Sequence, residues 1–315
     1  MRTRFFRELL DAATRDPRIV LLTGDLGFGV VEPFVEACPG QFINAGVAEQ
    51  NMTGLAAGIA LSGGKAFTYS IANFPTLRCL EQIRNDIAYH GADVTVVAVG
   101  GGLAYGQLGM SHHATEDLAI MRAIPGLAVA APGDPVETGT VVQDLLAHGG
   151  PAYLRLGKAG EASVHEEGLR FERGESVQLR PAGQVALLST GALLGEVCAA
   201  ADLLEGHGIR AGIRSFPWLD PLDVEAIRAE ARRCEVVVTV EEHSVVGGLG
   251  SAVAEVLAET RGAPPLLRIA LPAHYTSVVG DQQYLRSVYG LDSEAIARRV
   301  RTYVKENRGL AGQVR

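Results

Sequence analysis

The sequence predicts an α/β protein with two doubly wound domains, in which parallel strands alternate with helices. Val94–Val99 is a continuous apolar run rich in β-branched residues, which is typical of a parallel strand buried on both faces, and Val185–Ser189 is a second, largely apolar run. Segments with apolar residues at helical spacing lie between these runs. A polar stretch rich in turn residues interrupts the alternation at residues 158–183. We therefore expect a first domain at residues 1–157, a linker at 158–183 and a second domain at 184–315.

The elements of the first domain follow from its apolar periodicity. The first helix has Phe5 and Leu9 on one face, and Pro75 indicates the first turn of a later helix, where proline is favoured. The predicted order is helix 4–16, strand 18–23, a short strand from residue 42 that leads into a helix from residue 48, strand 65–70, helix 74–89, strand 94–99, a helix from about residue 116, strand 127–131, helix 134–148 and strand 152–156.

The second domain repeats this alternation after a linker in which we expect a short hairpin. Its predicted elements are strand 185–189, helix 195–207, strand 210–215, helix 224–231, strand 235–240, helix 249–259 and strand 266–270. Between the last two of these strands, Glu241, Glu242 and His243 precede a glycine-rich turn and could be catalytic. We favour structural or interface contacts for these three residues, with the glycines forming the strand-to-helix turn.

Composition and charge exclude several classes of function. The 315 residues carry a net charge of −8, which argues against nucleic acid or an anionic membrane as a partner. The four cysteines are widely spaced without a C-x-x-C pair, which fits a reducing compartment and carries no metal-site signature. The first residues lack the apolar segment of a signal peptide, and no apolar run is long enough to span a bilayer. We expect a cytoplasmic protein.

One carboxylate stands out at the start of a predicted helix. Glu49 begins an apolar stripe that continues through Met52 and Ala56, so its side chain is predicted to lie in the first turn and to point inward. An acid in a first turn can also be there only because the helix dipole favours it. Spacing alone leaves both interpretations open.

The segment around this acid, Gly46-Val-Ala-Glu-Gln50, resembles the corresponding motif of the transketolase family of thiamine-diphosphate enzymes. The resemblance implies that Glu49 is catalytic and hydrogen-bonds a ring nitrogen of the cofactor's aminopyrimidine, which activates the cofactor. A buried carboxyl group suits this task, because desolvation keeps it protonated near neutral pH. The likeness extends from about residue 4 to residue 305 and implies two α/β domains, a pyrimidine-binding domain and a transketolase C-terminal domain.

The same resemblance assigns further cofactor contacts in the first domain. Asp25 and Leu26, in a glycine-rich turn after a strand, are implied to line the pyrimidine ring, and Phe74 is implied to hold it. Leu77 and Leu80 stand where many transketolases have aromatic residues. These leucines would keep the pocket apolar without ring stacking, so the resemblance supports Phe74 more strongly than Leu77.

The glycine-rich loop after Val99 supplies the implied substrate contacts. Its run Gly106-Gln-Leu-Gly-Met-Ser-His112 resembles the family segment whose histidine contacts substrate and moves protons on its oxygens. His112 takes that place, and His113 is a second candidate without an independent role. Lys158 stands where the family has a phosphate-binding Arg, and it could bind phosphate as a point charge.

Other substrate positions depart from the family pattern. Glycines around Gly100 replace a His, Leu108 replaces an Asp that contacts a sugar hydroxyl, and Gly29 replaces a Ser that contributes to phosphate binding. Several polar contacts are therefore lost together. We expect transfer of a two-carbon ketol or related acyl unit from a keto donor to an aldehyde acceptor, with a substrate that is less polar than the usual ketose phosphates.

The family's diphosphate site is not found in the sequence. Its usual motif is Gly-Asp-Gly followed further on by Asn, whose oxygens hold Mg²⁺ or Ca²⁺. The Gly-Asp pairs at residues 24–25, 133–134 and 280–281 do not continue as this motif. We therefore expect one subunit of a split enzyme, in which a separate diphosphate-binding subunit holds most of the metal site. The expected assembly is α₂β₂, with self-association through the C-terminal domain and activity only in the presence of the partner.

Four alternatives remain. The β-subunit of a 2-oxo acid dehydrogenase shares this layout, although its loop usually carries a different histidine pattern. Deoxyxylulose-phosphate synthase is another relative, but it normally has all three domains in one chain. A non-catalytic scaffold subunit is the alternative outside enzymes, and the altered substrate loop keeps it open. A Rossmann-type nucleotide binder is disfavoured because no glycine fingerprint with a downstream acid occurs.

Overall fold

The computed structural model describes residues 1–181 and 183–313 and has the predicted α/β architecture, with two separate sheets flanked by helices. The first sheet has seven strands and the second has five. Most neighbouring strands are parallel, which is why their sequences are apolar throughout: helices cover both faces of each sheet. Among the described residues, no helix combines the length and the apolar composition that crossing a membrane requires.

The first half of the chain forms six strands and the helices between them. The strands are β1 (Ile19–Thr23), β2 (Phe42–Asn44), β3 (Lys65–Ile71), β4 (Val94–Val99), β5 (Ala128–Ala130) and β6 (Ala152–Leu156). The α-helices are α1 (Arg2–Ala13), α2 (Glu32–Ala37), α3 (Glu49–Leu61), α4 (Asn73–Leu77), α5 (Leu80–Gln82), α6 (Asp117–Arg122) and α7 (Pro135–His148). The predicted positions of β1, β3, β4, β6 and α7 are confirmed to within one or two residues.

The second half contains the remaining elements. Its strands are β7 (Val177–Arg180), β8 (Val185–Ser189), β9 (Ala211–Ser215), β10 (Trp218–Asp220), β11 (Val236–Ser244) and β12 (Leu266–Leu271). Its helices are α8 (Leu194–Glu205), α9 (Val224–Ala231), α10 (Leu249–Ala258), α11 (Gln282–Tyr289) and α12 (Ser293–Gln313). The sequence patterns did not predict β10, α11 or α12.

The linker contains no hairpin in its described residues. Its last strand, β7, instead pairs antiparallel with β9 and forms the edge of the second sheet, whose order is β12-β11-β8-β9-β7. The hairpin prediction was wrong because the partner of this strand lies beyond the next strand in sequence, at Ile213–Ser215.

The two halves of the chain also share a sheet. The first sheet has the order β10-β5-β6-β4-β3-β1-β2, so one of its two edge strands, β10, comes from the second half of the chain. Trp218 pairs with Ala130 and Asp220 with Val129 in antiparallel register. One apolar cluster likewise joins Met52 of the first domain to Phe216 of the second. The domains therefore pack as a continuous core, which fixes how second-domain side chains reach the first domain.

The predicted helix 74–89 is broken into three segments. After α4, Arg78 and Cys79 interrupt the helix, α5 follows, and a π-helical turn occupies Ile83–Ala88. Cys79 has φ −109° and ψ 11°, outside the helical region. The Arg78 carbonyl accepts a hydrogen bond of 2.9 Å from the Gln50 side chain. Breaks and π-turns of this kind often occur at functional sites, where they re-aim side chains.

Candidate active site

Glu49 is the first residue of α3 and is buried, as its apolar stripe predicts. Its side chain is only 4% exposed. The bend that places it there is built by Asn44 at the end of β2, whose side-chain oxygen accepts hydrogen bonds of 3.0 Å from the backbone N–H groups of Asp25 and Gly46. Gly46 has a φ of +72°, which glycine adopts without strain. This local geometry directs the carboxylate inward, whereas its catalytic role remains a prediction.

The Glu49 carboxylate is paired with Arg78. The Arg78 Nη1 atom lies 2.9 Å from Glu49 Oε2. The guanidinium carbon of the same arginine lies 4.2 Å from the centroid of the Phe74 ring. A planar cation with N–H donors therefore occupies the space between a buried carboxylate and an aromatic face. No sequence pattern pointed to this contact, because Arg78 lies on no apolar stripe and in no motif.

Phe74 also contacts the predicted substrate histidine. The Phe74 and His112 rings meet edge to face, with centroids 5.1 Å apart. The neighbouring side chain of Asn73 donates a hydrogen bond of 2.6 Å to the Ser111 carbonyl, and the Ser111 hydroxyl lies 3.1 Å from His112 Nδ1. Glu49, Phe74 and His112 are thus joined through Arg78 in one continuous group.

Asp25 and Leu26 lie on the loop beside this group. Asp25 has a φ of +55°, an unusual conformation for a residue with a side chain. Asn44 stabilises it by donating a 3.0 Å hydrogen bond to the Asp25 carboxylate in addition to accepting from its N–H. The preceding glycine, Gly24, borders the Glu49 carboxylate: a Cβ there would lie 3.7 Å from Glu49 Oε1. Leu26 packs against the apolar cluster that contains Tyr69.

Two other predicted site residues, Leu77 and Lys158, have surroundings that differ from those of Glu49, Phe74 and His112. Leu77, at the end of α4, is 49% exposed. The Lys158 ammonium lies 4.6 Å from the centroid of the Tyr105 ring. In the part of the chain that the structure describes, no hydrogen bond, ion pair or ring contact joins Lys158 to Glu49, Phe74 or His112. Their roles in binding cofactor and substrate remain predictions.

His113 is buried, whereas the adjacent His112 is partly exposed. His113 is 4% exposed, and its Nε2 atom has no hydrogen-bond partner among the described residues. Burial lowers the pKa of His113 and favours the neutral imidazole. It lines a cavity of about 240 Å³ between the domains, together with His274 and Tyr275. The two histidines of this loop therefore have different environments.

Glu241 and Glu242 form hydrogen bonds that support their predicted structural role. The Glu241 carboxylate accepts hydrogen bonds of 2.8 Å from the backbone N–H groups of Leu249 and Gly250, at the start of α10. Glu242 Oε1 accepts a hydrogen bond of 2.7 Å from the Leu103 N–H in the glycine-rich loop. The Ala119 N–H lies 3.3 Å from the Nε2 atom of His243. The second domain thus holds the loop that carries His112.

Two α11 side chains complete the anchor around Glu242. Its Oε1 accepts a hydrogen bond of 2.8 Å from Gln282, and its Oε2 accepts one of 2.6 Å from Arg286. A Cβ at Gly102, where φ is +65°, would lie 2.6 Å from Glu242 Oε1. Only glycine therefore allows this close approach of the loop backbone to the carboxylate.

Arg155 holds the other end of the loop. Its Nη2 donates hydrogen bonds to the carbonyls of Ala114 (2.9 Å) and Glu242 (2.8 Å), and its Nε lies 3.1 Å from the Asp117 carboxylate. The Tyr153 hydroxyl donates a 2.7 Å hydrogen bond to Asp117. An arginine inside the otherwise apolar strand Ala152–Leu156 was a sequence signal for such a network.

Comparisons with known proteins identify the family of both domains. Residues 1–160 match the transketolase pyrimidine-binding domain, and residues 174–296 match the transketolase C-terminal domain. One subunit of an apulose-4-phosphate transketolase from Phocaeicola vulgatus is 35% identical over 307 residues, which cover 97% of each chain. The SqwH subunit of a 6-deoxy-6-sulfo-D-fructose transketolase from a Clostridium species is 37% identical over 299 residues, covering 95% of this chain and 92% of that protein.

A solved structure extends the likeness to the fold. A split-gene transketolase described as an inactive beta4 tetramer superimposes with a TM-score of 0.86 at 35% identity. The match covers 95% of this chain and 96% of that one. The sequence motifs, the two-domain fold and these relatives together lead to one conclusion: the chain belongs to the transketolase family, of which it contains the pyrimidine-binding and C-terminal domains.

Proposed function

We propose that this chain is one subunit of a two-component, thiamine-diphosphate-dependent transketolase-like enzyme. The enzyme transfers a two-carbon ketol unit, or a related acyl unit, from a keto donor to an aldehyde acceptor. The observation that carries the proposal is the continuous group of Glu49, Phe74 and His112 around one planar cation, in a chain of this family.

The site residues fit the aminopyrimidine of the cofactor. The Arg78 guanidinium is a flat, nitrogen-bearing group that already lies against Glu49 and Phe74, and an aminopyrimidine offers similar shape and N–H groups to the same two partners. Glu49 would share a proton with a ring nitrogen, and Phe74 would cover the ring face. Asp25, Leu26 and Leu77 would form the rim of this site.

The chemistry is divided between cofactor and protein. When bound, thiamine diphosphate would supply the nucleophilic carbon that the chemistry at the donor carbonyl requires. Glu49 would hydrogen-bond a ring nitrogen of the cofactor from its buried carboxyl group, where the low dielectric strengthens this bond. His112, beside Phe74 and partly open to solvent, contacts substrate and moves protons on the substrate oxygens.

We further propose that a separate subunit holds the diphosphate and Mg²⁺ or Ca²⁺ in an α₂β₂ assembly. The subunit names of the relatives support a partner. Exposed apolar side chains on the loops and helices near the site also support an interface, because such groups favour burial against another protein. These side chains are Phe28, Val47, Leu77, Leu108 and Met110, which are 49–76% exposed. Self-association would use the C-terminal domain.

The donor and acceptor differ from the usual ketose phosphates in this proposal. Relatives with nearly equal identity carry names that specify different sugars, so overall similarity does not identify the substrate. Gly29 and Leu108 offer no polar side chain, and Lys158 lies over Tyr105. These features support a less polar keto compound, and the four free cysteines support a cytoplasmic enzyme.

Calorimetric titration of thiamine diphosphate with Mg²⁺ tests this function. The titration is made into the chain alone and into its mixture with the diphosphate-binding subunit. We expect binding only in the mixture, and loss or sharp weakening of that binding in Glu49→Ala but not in the exposed control Glu259→Ala. Tight binding to the chain alone would contradict the division of the site. Absence of binding in both would favour the scaffold interpretation.

A further inference from the structure

Arg78 makes two contacts at once that the proposed cofactor ring would need. Its guanidinium lies 2.9 Å from the buried Glu49 carboxylate and 4.2 Å from the Phe74 ring centroid. A guanidinium is planar and delocalised, with N–H donors along its edge. An aminopyrimidine ring is likewise planar, with nitrogen groups along its edge. Both would use the Glu49 carboxylate and the Phe74 ring, so they would compete for the same two partners.

We propose that Arg78 is an internal occupant of the pyrimidine site, which the cofactor must displace. The inference rests on the proposed function, because it takes Glu49 and Phe74 to be the cofactor's partners. In the empty subunit, Arg78 satisfies a carboxylate that is 4% exposed and would be costly to leave without a partner. It thereby keeps Glu49 and Phe74 arranged for a flat, nitrogen-bearing ligand.

The local backbone allows this exchange with a side-chain movement alone. The Arg78 carbonyl is held by the Gln50 side chain at 2.9 Å, and the following residue, Cys79, is fully buried. The Arg78 side chain itself is 49% exposed, so solvent already reaches part of it. A rotamer change would take the guanidinium into water without moving α4, and the charge would be hydrated there.

An internal occupant lowers the apparent affinity for the ligand that replaces it. The measured dissociation constant equals the intrinsic one divided by the fraction of molecules whose site is open. Removing Arg78 should therefore tighten cofactor binding while it destabilises the empty subunit. A purely structural ion pair predicts destabilisation without tighter binding, and an arginine that contacts bound cofactor predicts weaker binding. Tighter cofactor binding together with lower stability of the empty subunit therefore distinguishes an internal occupant from the other two roles.

The test compares Arg78→Ala, Arg78→Lys and the exposed control Arg84→Ala. Calorimetry of the two-subunit mixture measures the Kd of thiamine diphosphate, and thermal unfolding measures the stability of the isolated subunit. We expect Arg78→Ala to tighten the Kd about three- to tenfold and to lower the Tm of the isolated subunit. Lysine should give a smaller change in Kd, because it can pair with Glu49 but presents no flat group to Phe74.

A rescue experiment provides a readout that needs neither partner nor cofactor. Guanidinium ion at low millimolar concentration should raise the Tm of Arg78→Ala relative to an equal concentration of sodium, and should not do so for Arg84→Ala. An unchanged or weaker Kd in Arg78→Ala would overturn the inference. If Glu49→Ala still abolished cofactor binding, the proposed function would stand. If the wild-type mixture bound no cofactor, the proposed function and the inference about Arg78 would both be contradicted.

Discussion

The two sides of the candidate site are built in different ways. The side that carries Glu49 and Phe74 is assembled from contacts within the first domain, such as those of Asn44 with Asp25. The loop that carries His112 is held instead by Glu242, which lies 139 residues from its partner Leu103. The proposed cofactor side is therefore built within the first domain, whereas the loop of the proposed substrate side contacts it through Asn73 and is also held by the second domain.

This difference predicts that the loop can be released without disturbing the cofactor side. Glu242→Ala leaves the Leu103 N–H without its acceptor and Arg286, only 14% exposed, without its counter-ion. We expect a loss of about 3–5 kcal/mol in the free energy of unfolding, because the remaining Arg286 charge is largely shielded from solvent. Urea denaturation measures the loss, and limited proteolysis reports on residues 100–116.

The control for this change is the exposed Glu225→Ala, which should alter stability little. In the assembled enzyme we expect Glu242→Ala to impair turnover more than the Kd of thiamine diphosphate. Equal impairment of both would contradict the independence of the two sides.

A smaller effect is expected on the cofactor side from Asn44→Ala. This change removes the side chain that holds Asp25 at a positive φ and that accepts the Gly46 N–H. We expect a loss of about 1 kcal/mol in stability, because Asn44 is exposed and water can replace part of its hydrogen bonding. The Kd of the cofactor should weaken, since the bend before Glu49 loses its support.

The readouts for Asn44→Ala are denaturation and calorimetric titration of the two-subunit mixture. Asn51→Ala, on the exposed face of α3, is the matched control. If Asn44→Ala changed both the Kd of the cofactor and the rate of proteolysis in the His112 loop, the two sides would be coupled.

The smallest predicted effect concerns pH and a cluster outside both sides. Asp134 Oδ2 accepts hydrogen bonds from the backbone N–H groups of Val164 and His165, and lies 3.2 Å from His165 Nδ1. Burial lowers the pKa of His165, but its hydrogen bond to Asp134 and the charge of Glu137 raise that pKa overall. Burial raises the Asp134 pKa, but hydrogen bonds, led by that from His165, have the larger combined effect and lower this pKa to about 2.

The direction of the pH effect follows from proton linkage. Since the folded protein raises the pKa of His165, the stabilisation is complete below the ordinary histidine pKa of 6.5 and is lost as pH rises through the raised value. Glu137, whose pKa burial raises to about 7, titrates in the same range. We expect the stability difference between wild type and His165→Asn to shrink as pH rises from 6 to 9.

Denaturation at several pH values measures this difference, with the exposed His90→Asn as control. The same comparison in a Glu137→Gln background separates the titration of the histidine from that of the acid. A difference that grew with rising pH would contradict the sign of the His165 shift.

Much of the fold was predictable because it depends on local patterns. Apolar runs place β4 and β8 at the predicted residues, since a strand buried on both faces needs apolar side chains throughout. The burial of Glu49 follows in the same way from its place on the α3 stripe. The linker end and helix 74–89 were predicted less well. The strand β7 pairs with a distant partner, and the helix breaks at Cys79, next to the Arg78 carbonyl that the Gln50 side chain contacts.

The sequence by itself determined the fold class, the order of most elements, the family motifs and the position of Glu49. The tertiary structure decided that Arg78 lies between Glu49 and Phe74, that Glu242 anchors the His112 loop, and that adjacent histidines occupy different environments. The physical reason is range. Periodicity reports which face of one element is buried, whereas these contacts join residues far apart in the chain and exist only after the sheets and domains have packed.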